Sequence, residues 1–236
     1  MSTKTLGILG GMGPQAGLRF CELLLELAVK NHGAKTNADY PHFLLNSIPV
    51  PDLIASRDDE EKTITMVEKG ARDLRAAGAN LLVMTCNTMH LFADRIERAG
   101  RIPFLSLIDA VVLKIAQDGR RRVGVLGSMT TMRSGLYLDP LRKAGIEPIQ
   151  PDIPDQELIV GAIQRVIARK SETGDPQLVS DVIEKLRDRG AQSVILGCTE
   201  LPFIVRPEDQ SLPVYDSISI LATAACAAIY EWRPLS

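Results

Sequence analysis

The sequence predicts an α/β protein made of two pseudosymmetric parallel-sheet halves. Three observations carry this. Short apolar runs alternate with longer helical patterns, several segments recur in order about half a chain apart, and no Pro-rich, Ser-rich or charged linker interrupts the rhythm.

Taken in order, 5–10 (TLGILG) reads as a buried strand and 16–30 as a helix. A strand at 42–48 (HFLLNSI), a helix over 59–77, a strand at 80–86 (NLLVMTC), a helical stretch over 91–99 and a strand at 102–107 (IPFLSL) complete the first half. Parallel strands need crossovers of this length, and strands covered on both faces are continuously apolar rather than alternating. The second half repeats the pattern with strands at 122–128 and 146–150 separated by a helical stretch around 134–144. Helices over 158–170 and 176–189 and strands at 193–198 and 212–216 follow. The joint is expected near 109–119, and the closing helix 217–231 returns to the first half. The expected domains are therefore 1–110 plus 217–236, and 111–216.

The recurrences are specific. Gly7-Ile8-Leu9-Gly10-Gly11-Met12 is answered 117 residues later by Gly124-Val125-Leu126-Gly127-Ser128-Met129. Gly78-Ala79, with Cys86 eight residues after Gly78, is answered 112 residues later by Gly190-Ala191 and Cys198. Ile102-Pro103-Phe104-Leu105 is answered 110 residues later by Leu212-Pro213-Val214-Tyr215. Three matches in order at nearly constant displacement point to a duplicated α/β unit.

Composition narrows the function. With 27 Lys plus Arg against 29 Asp plus Glu, a net charge of −2 gives no basic footprint for nucleic acid, and a small molecule is the expected partner. The N-terminal residues lack the apolar core of a signal peptide, and no apolar stretch is long enough to span a bilayer, so no membrane partner and a cytoplasmic location are expected. Four cysteines without a short-spaced pair fit neither a disulfide framework nor a zinc site. A chemical role for reduced thiols is the alternative to simple packing.

Cys86 and Cys198 each follow an apolar run, so each stands at a strand's carboxyl end, where parallel sheets bind ligands. If the halves face one another about a pseudo-twofold axis, the thiols flank one cleft. Two symmetric acid/base groups across a planar carbanion are what stereoinversion at carbon needs, one removing a proton and the other delivering one to the opposite face. Thr85, Asn87 and Thr88 around Cys86, and Thr199 beside Cys198, offer donors for a carboxylate. A helix starting after each cysteine is expected to lower its thiol pKa, and a pair that needs one thiolate and one thiol titrates as a coupled unit.

The opening Gly10-Gly11-Met12-Gly13-Pro14 predicts a sharp turn into a helix with Pro14 in its first turn, able to cradle an anion. Gly11-x-Gly13-x-x-Ala16 also fits a dinucleotide fingerprint. The next strand, however, ends at Asn46-Ser47, where a nucleotide fold needs an acid for the ribose.

With that opening, Cys86-Asn87-Thr88-Met89-His90 and Gly197-Cys198-Thr199-Glu200 together, the whole chain resembles the aspartate racemase branch of the Asp/Glu racemase superfamily. The resemblance implies two pseudosymmetric α/β domains with the active site between them, a homodimer, and racemisation of an amino acid, aspartate or glutamate first, with no pyridoxal phosphate, other cofactor or metal. It implies Cys86 and Cys198 as the acid/base pair, and Met12, Asn46, Asn87, Thr88, Ser128, Thr131 and Thr199 as substrate contacts. One departure bears on substrate. Aspartate racemases of this branch often carry Arg after Ile-Pro-Asp, whereas this chain reads Val50-Pro51-Asp52-Leu53. Arg57, Arg165, Arg169 and Lys170 are the candidate substitutes, and a broad-specificity or non-acidic amino-acid racemase is the alternative. Hydantoin racemisation and an amino-acid-binding protein on the same scaffold are further readings.

Cys21 and Cys226 lie in apolar helical patterns and are expected to pack in the core. His90 is expected to cap or pack the turn after Cys86, while Glu200 either braces its own turn or binds the substrate ammonium. His32 and His42 read as surface residues, and Arg120-Arg121-Arg122 as a solvated turn.

Overall fold

A computed structural model describes residues 4–54 and 57–231. Residues 1–3, 55, 56 and 232–236, which the sequence reading assigns to the first domain, lie outside the described residues. The element order is β1 (Leu6–Gly10), α1 (Pro14–His32), β2 (Phe43–Ser47), α2 (Glu60–Ala76), β3 (Leu81–Met84), α3 (Ala93–Gly100), α4 (Leu107–Gln117) and β4 (Arg122–Gly127). It continues through α5 (Met129–Arg133), α6 (Leu138–Lys143), β5 (Glu147–Ile149), α7 (Ile153–Ile167), α8 (Asp175–Asp188), β6 (Ser193–Gly197), β7 (Val214–Asp216) and α9 (Ser217–Tyr230). These form two compact units: the described residues of Met1–Pro51, Asp59–Leu107 and Ile218–Ser236, and those of Asp52–Asp58 and Ile108–Ser217.

The first unit is built on a parallel sheet of order β2-β1-β3. All of β1 and β3 is buried, which is why both read as uninterrupted apolar runs. Gly7 permits the closeness of β1 to its neighbours, since a Cβ there would stand 2.8 Å from Leu82 and 2.9 Å from Ala79. Helix α1 opens on Pro14 and stops at Gly33, whose φ of 69° lets Ala34 N–H turn back to the carbonyl of Ala28. Helix α9 is tied into this unit by Tyr230, whose hydroxyl donates to the Asp39 carbonyl at 2.6 Å and whose ring stacks on His32.

The second unit carries the parallel order β5-β4-β6-β7. Its core joins Leu126, Val194 and Leu196 of the sheet to Ile159 and Ile163 of α7 and Val179, Ile183 and Leu186 of α8, with Ile54 packed against it. No helix among the described residues is long and apolar enough to cross a membrane.

Three expectations are corrected. The strand expected at 102–107 is a single parallel bridge, Leu82 to Phe104, because Pro103 can accept from Leu82 N–H but has no N–H of its own to extend a ladder. The helix expected over 134–144 is interrupted at Gly135 (φ 74°), leaving α5 before it and α6 after it. Directly after each cysteine the chain forms a short 3-10 turn, Thr88–Phe92, which leads on into α3, or Leu201–Phe203, which leads into no α-helix. Neither thiol therefore stands directly at the N-terminus of an α-helix, the position the dipole argument needs.

Candidate active site

In the first unit all strands run parallel, so their carboxyl ends share one edge. Register pairs Gly10 with Ser47 and Leu9 with Met84, which gathers the Gly-rich turn, the end of β2 and the Cys86 turn there. Gly11 has φ 94°, and a Cβ on it would run into the backbone of Ile48, so only glycine fits. Met12 follows half-buried, before α1 begins at Pro14. Thr85 anchors the cysteine turn: its N–H donates to the Leu9 carbonyl at 3.0 Å and its hydroxyl to the same oxygen at 3.3 Å.

Cys86, Asn87 and Thr88 are all buried at this edge. Asn46 is half-buried on β2, with its amide nitrogen over Gly70 of α2. His90 is locked. Its Nε2 accepts from Leu107 N–H at 3.0 Å, which leaves the ring proton on Nδ1 to donate to the Cys86 carbonyl at 2.7 Å, with Phe104 tilted against the ring. One nitrogen serves the turn that carries Cys86 and the other ties that turn to the start of α4.

In the second unit β4 and β6 end together, Gly127 opposite Gly197. Ser128 caps α5, its hydroxyl accepting from Thr131 N–H at 3.1 Å and donating to Thr131 Oγ1 at 3.0 Å. Gln156 of α7 donates to the Gly127 carbonyl at 2.8 Å, fixing the strand end from outside the sheet. The methyl group of Thr131 lies beside Gly127, where a Cβ would stand 3.3 Å from it and 3.0 Å from the Gly197 carbonyl. Ser128, Thr131, Cys198 and Thr199 are all buried at this strand edge.

Glu200 changes the chemistry of this half. It is only 2% exposed, and one carboxylate oxygen, Oε2, accepts from the Cys198 thiol and from the Thr199 hydroxyl, each at 3.0 Å. The Gly-Cys-Thr-Glu sequence placed Glu200 near the thiol, but not the direction of its side chain. Tyr137 was missed altogether. Among the described residues it is the largest fully buried side chain, and its ring packs where a Cβ on Gly197 would stand 3.0 Å away. Burial first, then the proximity of Cys198, pushes its phenol pKa well up, while a hydrogen bond with Ser217 opposes the shift. Ser217 in turn donates to the Leu196 carbonyl at 2.9 Å.

The remaining thiols differ from these two. Cys226 is fully buried in α9 with its pKa pushed up to about 11 by burial, whereas Cys21 is half-buried on the flank of α1 and only raised. Among the candidate cations, Arg165 is committed to Asp175, which is 2% exposed and also accepts from Glu172 N–H at 2.8 Å. Leu53 is buried, and the carbonyl of its neighbour Ile54 accepts from Thr130 N–H at 3.4 Å, so the segment that departs from the branch pattern lies against α5.

The Asp/Glu/Hydantoin racemase family model matches residues 9–225. The broad specificity amino-acid racemase RacX of Bacillus subtilis is 27% identical over 97% of this chain and 99% of its own. Among solved structures, the Picrophilus torridus aspartate racemase is similar at 27% identity with a TM-score of 0.79, over 95% of this chain and 93% of its own. An aspartate racemase homologue of Pyrococcus horikoshii is similar at 29% identity with a TM-score of 0.77, over 94% of this chain and 96% of its own.

Proposed function

Because this chain belongs to the Asp/Glu/hydantoin racemase family, we propose that it interconverts L- and D-amino acids without a cofactor, using Cys86 and Cys198 as its two bases. The observation that carries the reading is the topological equivalence of the two thiols. Each is buried within two residues of the end of a parallel strand that pairs with the first strand of its unit, β3 beside β1 or β6 beside β4, and each is followed by a hydroxyl-bearing turn.

In the proposed reaction, a thiolate from one half takes the α-proton and the electron pair passes into the α-carboxylate. The thiol of the other half then delivers its proton to the opposite face of the same carbon, leaving the second sulfur as thiolate. Asn87, Thr88, Ser128, Thr131 and Thr199 hold the carboxylate as charge accumulates on it, where fixed donors in a dry site stabilise most. Met12 and Asn46 border the substrate. Glu200 stores or returns the Cys198 proton, which replaces the helix-dipole activation expected from sequence.

The branch resemblance makes aspartate and glutamate the first substrates to test. A second reading, of broad or uncharged side-chain specificity, is favoured by Leu53 in place of the expected arginine and by the engagement of Arg165 with Asp175. A homodimer belongs to the same proposal. Leu18, Leu25 and Val29 lie exposed along one face of α1, with Arg19 and Glu26 beside them. A twofold axis across that helix covers the stripe with its own copy and exchanges the opposite charges.

The test is α-proton exchange in heavy water with a panel of L- and D-amino acids and no added cofactor, read by NMR and chiral chromatography. Exchange with inversion supports the reading, and the panel separates acidic from broad specificity. Folded protein that binds one enantiomer without exchanging its α-proton would reverse it in favour of an amino-acid-binding protein.

A further inference from the structure

Helices α2 and α3 pack side by side, and their charges are arranged in opposite ways at the two ends of the pair. Towards the start of α3, Arg95 reaches Glu61 at 3.0 Å and Glu68 at 2.8 Å on α2, an ordinary complementary arrangement. Towards the carboxyl ends, an open surface pocket of about 500 Å³ is lined by the exposed Arg72, Arg75, Arg98 and Arg101, with only Ala76 and Ala99 between them. Among the described residues none of these four guanidinium groups has an ion pair or a side-chain hydrogen bond. Asp73, which lies between Arg72 and Arg75 in sequence, is taken by Lys69 at 2.6 Å, and Glu97 does not line the pocket.

Basic residues at helix carboxyl ends ordinarily answer the helix dipole. Here that accounts for too little, because each helix end carries only about −0.5 of a charge, so two ends offset roughly one of the four positive charges. Arg101 also occupies a left-handed backbone position (φ 52°) at the end of α3, one that favours glycine and that an arginine adopts at some cost. Four like charges thus line one surface pocket with no acid among the described residues in ion-pair contact with any of them. The pocket lies at the amino-terminal side of β3, since α2 leads into that strand and Arg101 stands two residues before Pro103, the partner of Leu82. Cys86 follows the opposite end of β3.

We propose that this pocket binds a small anion bearing two or more phosphate groups, separately from the racemase chemistry. Guanidinium forks pair with phosphate oxygens two at a time, and the volume exceeds what a single orthophosphate fills, leaving room for an organic portion against Ala76 and Ala99.

Sodium tripolyphosphate is the probe, titrated calorimetrically into the full chain at low ionic strength, with orthophosphate for comparison. The expected result is one tripolyphosphate per chain, bound more tightly than orthophosphate. Affinity falls at least tenfold in R72Q/R98Q but stays within twofold in R142Q/K143Q, which removes the same charge from α6. Without any polyanion, R72Q/R98Q melts no lower than the parent, because removing two of four facing charges relieves their repulsion. Equal binding by parent and R72Q/R98Q, or no saturable binding, overturns the proposal. So does a lower melting temperature of R72Q/R98Q in phosphate-free buffer, which assigns the arginines to the helix ends alone. Calorimetry reads binding independently of turnover, so this result and the racemase assay fail separately.

Discussion

Cys198 donates its thiol proton to Glu200 across 3.0 Å inside the second unit, and the same carboxylate oxygen receives the Thr199 hydroxyl. Cys86 has a different kind of neighbour, since His90 spends its Nδ1 proton on the carbonyl of Cys86 and its Nε2 on Leu107 N–H. The two halves repeat in fold but place a carboxylate beside one cysteine turn and an imidazole beside the other. In the proposed mechanism the Glu200 carboxylate accepts the Cys198 proton when the thiolate is needed and otherwise keeps it in place.

Glu200→Gln preserves the shape and one acceptor oxygen but cannot take up a proton. Racemisation is expected to slow by about 10²-fold, within the usual range for a lost proton-transfer group. The equilibrium constant between enantiomers is one, so kcat/KM falls equally in both directions. Steady-state rates from each enantiomer across pH check this, and an unchanged rate and pH profile would reduce Glu200 to a brace for its own turn.

Single cysteine replacements separate proton exchange from inversion. In Cys198→Ala, interconversion is lost from either enantiomer, while Cys86 still exchanges the α-proton of the one enantiomer it faces. Cys86→Ala reverses the pattern. Deuterium incorporation with retention, followed for L- and D-substrate in each variant, is the measurement. A single mutant that still racemises at near-native rate would remove the two-base assignment.

Much of this arrangement was legible in the sequence. Buried parallel strands leave continuous apolar runs, and β1, β3, β4 and β6 are of that kind. The cysteines stood out because the repeat gave them equivalent places. What escaped depends on a single dihedral or on the direction of a side chain. Gly135 turning to positive φ splits a helix that periodicity would continue, and Pro103 reduces an apolar run to one bridge. Tyr137 carries no local signal, since it meets Gly197 only after residues sixty apart in sequence have been folded together.

His90→Phe keeps an aromatic ring and removes both hydrogen bonds, leaving the Cys86 carbonyl and Leu107 N–H without their partner inside the unit. At about 1–3 kcal/mol for each buried group left unsatisfied, the expected loss is roughly 2–6 kcal/mol, with turnover falling as the Cys86 turn loosens. Denaturant unfolding gives the first quantity. In the parent protein, nitrogen-15 NMR should show the tautomer protonated at Nδ1, and a proton on Nε2 would contradict the assignment.

Arg165 and Asp175 bear on acid stability and, under the proposed function, on substrate choice. The Arg165 guanidinium, the largest influence, holds the Asp175 carboxyl below its ordinary value against the opposing effect of burial. A carboxylate whose pKa is lower folded than unfolded contributes stability above its unfolded pKa, near ~3.9. That stability is lost as pH falls through the lower folded value. Replacing Arg165 with Ala leaves a buried carboxylate unpaired, and a loss of about 3 kcal/mol near neutral pH is expected. Asp175→Asn should instead flatten the dependence of stability on pH below about 4. Because Arg165 is engaged in this pair, its removal should lower activity on aspartate no more than on an uncharged amino acid when both are assayed below the melting temperature. A loss confined to aspartate and glutamate would show that Arg165 leaves Asp175 for the substrate. It would also restore to this chain the acidic specificity that Leu53 argues against.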